Sequence, residues 1–422
     1  MFYFRLFCLV TICLVSTVFS TRVFGEPVLS LEQAVEEALQ ENPALKAREA
    51  SVNAAKAHIG VAKSLDDPMV GVELYQVPID TIAPDQAMDI DYSVIQKFPF
   101  PGKLKSKKRA AESEFKSEMS GYDANRLTVQ VETEHAFHKL YLAEKSLTLT
   151  RQLKALFAKL AASEKARYTA GNKTAQDYLK SKSEMEILEG ELALLEAEKI
   201  KAQARLNILR HKEPGESIRI ADLPKHNHPF PDYKTFEEFV LKNHPELKMV
   251  EHRLNAQQAY TSFARKEASL PDIQLRGTYV SRLNTDDAWT AEAMLNIPFL
   301  WGKNRKALQE SKAKERQAAQ QLASQQDERL ASLKETYARV ESNKKSYAIY
   351  AGQIVPNMSV AMKAAEAAYK AGTTDFIGFI DTAREYKKVQ LAALQALVDY
   401  HNTISDLKYA VGEDFMPSLM KH

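Results

Sequence analysis

The stretch Met88-Asp89-Ile90-Asp91-Tyr92-Ser93-Val94-Ile95-Gln96-Lys97-Phe98-Pro99-Phe100-Pro101-Gly102-Lys103 joins two kinds of structure. Up to Phe98, one face reads Met, Ile, Tyr, Val, Gln, Phe and the other Asp, Asp, Ser, Ile, Lys. That period of two is a strand with one apolar and one polar side. Pro99 and Pro101 lack the amide that a continuing strand or helix interior needs, and Gly102 eases the bend, so the strand must end here and a helix begin. Beyond the corner, residues 102–213 contain no proline and are rich in Ala, Leu, Lys, Glu and Gln. At 1.5 Å per residue the first arm of that stretch, up to about Tyr168, is a rod on the order of 100 Å long. A compact domain cannot contain it.

The corner occurs twice. Ile297-Pro298-Phe299-Leu300-Trp301-Gly302-Lys303 echoes it, Asn42-Pro43-Ala44-Leu45-Lys46 returns as His244-Pro245-Glu246-Leu247-Lys248, and Tyr168-Thr169-Ala170-Gly171 returns as Tyr369-Lys370-Ala371-Gly372. The capping boxes Ser30-Leu31-Glu32-Gln33 and Thr235-Phe236-Glu237-Glu238 are expected to open one helix in each half. Matches in one order at a near-constant offset of about two hundred residues mark an internal duplication. The expected layout is a first repeat over 26–212, a linker over 213–231 and a second repeat over 232–422. The first repeat has strands at about 70–78 and 87–98 and a helical hairpin at about 102–212; the second has strands at about 273–282 and 288–298 and a hairpin at about 302–412. Within the rods, Leu149, Leu153, Leu156 and Leu160 keep a coiled-coil spacing, as do Leu330, Leu333, Tyr337, Val340 and Tyr347, with Lys344 interrupting. The glycine closing each Tyr-x-x-Gly is expected to be a left-handed cap that reverses the chain.

The 422 residues carry 57 basic and 55 acidic groups, a net charge of +2, which gives no reason to expect a nucleic-acid partner. A mean hydropathy of -0.37 without an internal apolar run of about 18 residues excludes a bundle of membrane-spanning helices. Residues 1–25 read as a signal peptide: Arg5 precedes an apolar run, and Val23-Phe24-Gly25 fits a processing site. Cys8 and Cys13 lie inside it, and neither follows the small residue that lipoprotein processing prefers. The chain is therefore expected to be exported without a lipid anchor or a disulfide.

Each alternating run is close to the nine to eleven residues that a tilted strand needs to cross a bilayer. Trp289, Ala291, Ala293, Leu295 and Ile297 face one way, while Gln274, Arg276, Thr278 and Arg282 form a polar face on the neighbouring run. Four strands cannot close a barrel, and open edges are not tolerated in hydrocarbon, so closure demands several chains.

In all of this the chain resembles the TolC family of outer-membrane efflux and secretion ducts. The resemblance rests on Asn42-Pro43, on the corner from Phe98 to Lys103, and on Tyr168, Gly171, Asp177, Tyr369, Gly372 and Asp381 around the hairpin tips. The Pro-Gly-Lys corner is most similar to the heavy-metal branch. The resemblance implies a mainly helical fold with a small membrane β part: a homotrimer whose twelve-stranded barrel in outer-membrane lipid continues as a periplasmic tunnel of coiled helices. It implies no enzyme activity, no cofactor and no nucleic acid. The partners it implies are a periplasmic adaptor (membrane fusion) protein gripping the tips and an inner-membrane efflux pump, with a type I secretion channel as the alternative role. Asp381 matches a position whose carboxylates ring the periplasmic constriction; Gly378 and Thr374 stand where relatives carry an acidic and a basic gate residue. Pro99, Pro101, Gly102, Pro298 and Gly302 would mark the barrel-to-tunnel corners.

Other readings explain less. A periplasmic coiled-coil scaffold accounts for the rods but not for two hairpins at equivalent places, and no nucleophile motif, Gly-rich phosphate loop or acid pair supports a hydrolase. His135 and His138 beside Glu132 and Glu134, and His226 with His228, are too few to make a metal site. The Glu-Lys run 182–201 reads as a solvated helix surface.

Overall fold

The computed structural model describes residues 28–81, 83–169, 175–223, 230–282 and 285–412. Residues 1–25, Gly171 and the pair His226 and His228 lie outside them. The first repeat comprises β1 (Val28–Leu29), α1 (Leu31–Glu41), α2 (Pro43–Lys63), β2 (Met69–Tyr75), β3 (Asp89–Phe98), α3 (Lys103–Thr169) and α4 (Ala175–Leu209). After β4 (Arg219–Ile220) the second repeat follows as α5 (Tyr233–Asn243), α6 (Pro245–Ser269), β5 (Ile273–Arg282), β6 (Ala288–Leu295), α7 (Lys303–Ile349), α8 (Val355–Lys370) and α9 (Phe376–Val411). One π-helical turn, Tyr350–Ile354, joins α7 to α8.

The helix starts follow local chemistry. Ser30 and Gln33 exchange the two hydrogen bonds of a capping box. Thr235 does not cap its helix: Asp232 does, accepting from the Lys234 amide, so α5 starts two residues before the expected box. Asn42 and His244 cap α2 and α6, each followed by Pro at the first helical position, where no amide is needed. Each also reaches across to a returning rod, Asn42 Nδ2 to the Leu209 carbonyl at 3.1 Å and His244 Nε2 to the Tyr409 carbonyl at 3.2 Å. The duplication therefore extends to tertiary contacts.

The four strands form one antiparallel sheet in the order β2-β3-β5-β6. Its register puts Val72, Tyr92, Tyr279 and Trp289 in one row, and Val70, Val94, Gly277 and Ala291 in another. The opposite face carries Gly71, Ser93, Thr278 and Thr290, with Ile95 beside Arg276 and Arg276 beside Glu292. Since strand side chains alternate, this register gathers most of the apolar residues of the four strands on one side and most of the polar ones on the other. Two strands end earlier than expected. β2 stops at Tyr75 because Gln76 takes φ 50 and Pro78 follows; β6 stops at Leu295 because Asn296 turns to bond the Asp272 backbone.

The rods pack in a row. On the sheet side the order is α2, α3, α6, α7; beyond it α4 lies on α3, and α9 lies against α3, α7 and α8. α3 alone spans about 100 Å. Its packed face differs from the expected seam: Leu147, Leu153, Phe157 and Ala161 are buried, whereas Leu149, Leu156 and Leu160 sit at its margin. The second seam runs through Leu333 and Val340, with Tyr337 and Tyr347 against them, in a cluster with Phe236, Val240, Tyr400, Ile404 and Leu407. Over a separate cluster of Phe137, Leu140, Leu206 and Leu209, β1 and β4 pair in parallel, so the linker carries a strand that ties it back to the start of the first half. Among the described residues no helix is long and apolar enough to cross a membrane.

Candidate functional site

Two regions concentrate the sequence-predicted residues: the corner between sheet and rods, and the far ends of the rods.

At the corner β3 ends at Phe98, Pro99 and Pro101 occupy the turn, and α3 starts at Lys103. Gly102 takes φ +92 and its counterpart Gly302 takes φ +70. Lys103 is fully buried, and its ammonium donates to Asp272 at 2.6 Å and Glu267 at 2.9 Å. Asp272 also accepts the Phe100 amide at 3.1 Å and faces Lys97 at 3.4 Å. Burial works to raise the Asp272 pKa, but the Lys103 bond, the Phe100 amide and the two lysine charges prevail and hold it below the usual carboxylate range. Lys266 adds bonds to the Gly102 carbonyl and Ser106. The first corner is therefore locked onto the second repeat. In the second corner Pro298 lies between β6 and α7, its carbonyl accepting from Asn304, while Phe299, Leu300 and Trp301 stand exposed, Trp301 by 88%.

At the far end, α8 closes with a left-handed cap. Gly372 has φ +76; its amide donates to the Tyr369 carbonyl and the Thr373 amide to the Ala368 carbonyl, the paired bonds of a Schellman turn. The chain re-enters helix at Asp375, whose side chain accepts the Gly378 amide at 2.9 Å. Tyr369 is buried, its ring packed on Phe376 and Phe379 and its hydroxyl bonded to buried Glu164 of α3. Its repeat partner Tyr168 is 46% exposed, so the two tips differ. Asp177 lies half-buried in the first turn of α4. Underneath, Leu153, Phe157, Leu188, Phe376, Phe379, Ile380 and Ala383 form one apolar cluster drawn from both repeats.

Asp381 is exposed and pairs with Arg384 at 3.1 Å. Arg384 also bonds both carboxylate oxygens of Glu184 on α4, and Lys387 bonds Glu191 one turn further on. These cross-repeat pairs were not anticipated. Arg384, three residues after Asp381, was the available signal, and Glu184 corrects the solvated reading of 182–201, since it is buried against α9. Thr374 is half-buried, Gly378 serves the α9 cap, and a basic group that bridges to the other hairpin is Arg384, through Glu184.

Midway along the rods lies a buried polar layer. His138 Nδ1 meets Asn402 Oδ1 at 2.9 Å, and burial pushes its pKa down to about 4. His135 points instead to Asp406 at 3.1 Å; burial lowers its pKa, but the Asp406 bond and charge raise it further. Glu134 is clamped by Lys408 and Ser405. Among the described residues no group of three or more His, Cys, Asp or Glu side chains is arranged to hold a metal.

The profile of one family, described as outer membrane efflux protein, matches residues 34–209 and again 238–413. A search of curated proteins found no match. Solved structures of outer-membrane proteins share the fold. The outer-membrane channel OprN is 18% identical, with a TM-score of 0.77 over 91% of this chain and 90% of its own. The CmeC outer membrane channel of Campylobacter jejuni is 16% identical, with a TM-score of 0.77 over 93% and 88%. The outer membrane protein VceC of Vibrio cholerae is 17% identical, with a TM-score of 0.76 over 91% and 96%.

Proposed function

The chain belongs to the outer membrane efflux protein family, and on that footing we propose that it is the outer-membrane exit duct of a tripartite efflux system. It receives substrate from an inner-membrane pump through a periplasmic adaptor and releases it outside the cell. The observation that carries this reading is the four-stranded sheet: apolar on one face, mostly polar on the other, with both edges unpaired among the described residues and rods of about 100 Å continuing from it. Three copies give twelve strands, with Val72, Tyr92, Tyr279 and Trp289 toward lipid and Ser93, Thr278, Arg276 and Glu292 toward water. Exposed Trp301 and Phe299 at the corner then lie at the membrane boundary, where aromatic rings are favoured.

The rod tips dock the adaptor. Tyr168, Gly171, Asp177 and the Gly372 turn form that surface, and Tyr369 props it from beneath. Asp381 lines the periplasmic constriction, where Arg384 holds it beside Glu184 and keeps the two repeats drawn together. The protein is a conduit and not an enzyme; its cargo is metal ions or small toxic compounds, with the Pro101-Gly102-Lys103 corner supporting the metal branch.

Outer membranes prepared from the native host should contain a heat-modifiable trimer, and deletion of the chain should sensitise cells to a panel of divalent metal salts. Sensitivity confined to dyes and antibiotics would overturn the metal branch alone. A protein recovered in the soluble periplasmic fraction would overturn the duct.

A further inference from the structure

The buried clamp at the first corner has an unfilled twin. Lys103 stands at the head of the rod that follows β3, and its carboxylate partner Asp272 comes from the base of the next strand over, β5. The second repeat has Lys303 at the same place after β6, but β6 is the last strand of the sheet. Lys303 is exposed and makes no ion pair among the described residues.

The strand that would lie beyond β6 can be identified from register. Met69 sits opposite Ile95, and Ile273 opposite Leu295. Ile95 and Leu295 precede Lys103 and Lys303 by the same number of residues, so Met69 is the counterpart of Ile273. Immediately before Ile273 comes Asp272; its register place before Met69 is held by Pro68, with Asp66 and Asp67 just ahead of it. Gln96, the counterpart of Asn296, donates to the Asp66 carbonyl, so the acidic pair is held at the base of β2 as Asp272, whose amide donates to Asn296, is held at the base of β5. Asp66 and Asp67 are both exposed. They lie on the far side of the molecule from Lys303: α2 and α7 are at opposite ends of the row of rods, three helix spacings or roughly 25 Å apart.

Resting on the trimeric duct reading, we propose that the Lys303 ammonium of one protomer is seated against Asp67 of the next, flanked by Asp66, repeating between chains the Lys103–Asp272 clamp made within each chain. The occupant of the α7 and β6 flank is therefore the α2, β2 and α4 flank of a second copy. The rod ends carry the same signature. Ile380 of α9 is buried in the cluster that holds Leu153 and Phe157 of α3, while Leu179, at the equivalent step of α4, is 56% exposed. Ion pairs at this junction are sheltered as Lys103 is, so they fix the order and height of neighbouring protomers where barrel meets tunnel.

Lys303→Cys combined with Asp67→Cys in the full chain, bridged by a short thiol-to-thiol crosslinker that matches the reach of a lysine–aspartate pair in the detergent-extracted trimer and run denatured, tests the contact. Such a linker cannot span the roughly 25 Å between the two sites of one chain, so any bridge joins two chains. The expected result is covalent dimers and trimers at least tenfold above either single-cysteine variant, which also controls for Cys8 and Cys13. An intact trimer without covalent species overturns the contact and leaves the duct standing; absence of any trimer from the wild-type chain overturns both. In a second test, Lys303→Asp should lower the temperature at which the trimer dissociates, and adding Asp67→Lys should restore it. An unchanged temperature in Lys303→Asp overturns the proposal.

Discussion

Gly372 reverses the second rod at φ +76 with open space around its α-carbon, so its constraint is backbone conformation and not crowding. A β-branched residue there costs about 1–2 kcal/mol. Gly372→Val should leave the amount of trimer in the membrane nearly normal while efflux and adaptor crosslinking fall; wild-type crosslinking in that variant would remove the tip from the docking surface. At His138 the expectation concerns pH. The folded-state pKa is depressed to about 4 by burial, against about 6.5 in the unfolded chain, so the neutral ring contributes its stability above 6.5. As pH falls from 6.5 toward 4 the unfolded state gains a proton that the folded state refuses, and stability drops by on the order of 3 kcal/mol per site. Acid denaturation followed by circular dichroism should show that limb, and His138→Gln should flatten it. Neither the depressed His138 nor buried Lys103 is visible in the sequence, because their burial depends on partners more than 160 positions away, Asn402 and Asp272.

At the level of elements, α4 and α9 are joined near their tips by Arg384 to Glu184 and Lys387 to Glu191. If these pairs hold the periplasmic end closed, Arg384→Ala should raise basal conductance in a planar bilayer and Asp381→Ala should shift its cation dependence, both with normal assembly. An Arg384→Ala channel as closed as the wild type would place the gate elsewhere. The strands and corners are legible because alternation and proline are local signals: the run from Asp89 to Phe98 becomes β3, and Pro99 and Pro101 sit in the turn. Side-chain pairing across rods is not local, so Glu184 read as a solvated glutamate. The π turn at Tyr350–Ile354 also leaves a trace in the sequence. Pro356 removes an amide from the rod, and the wide turn before it adds one residue, which is why the repeat offset is 200 at Gly102 and Gly302 but 201 at Tyr168 and Tyr369.

For the whole molecule, the duplication explains both what the chain contains and what it lacks. Each repeat supplies two strands and a rod pair, the repeats lock to one another through Lys103, Asp272 and Glu164, and among the described residues the edge strands β2 and β6 stay unpaired at the two flanks. On the duct reading such a chain is one third of a ring, since an open apolar sheet is stable in a bilayer only when its edges are closed. The central claim is that the ring is a water-filled duct gated at its far end. Reconstituting detergent-purified protein into a planar lipid bilayer and recording single-channel currents tests it most directly. The account predicts trimers that insert and conduct in small, mostly closed steps, with larger steps in Arg384→Ala. A chain that stays a water-soluble monomer without detergent, and leaves the bilayer's conductance unchanged, would contradict it.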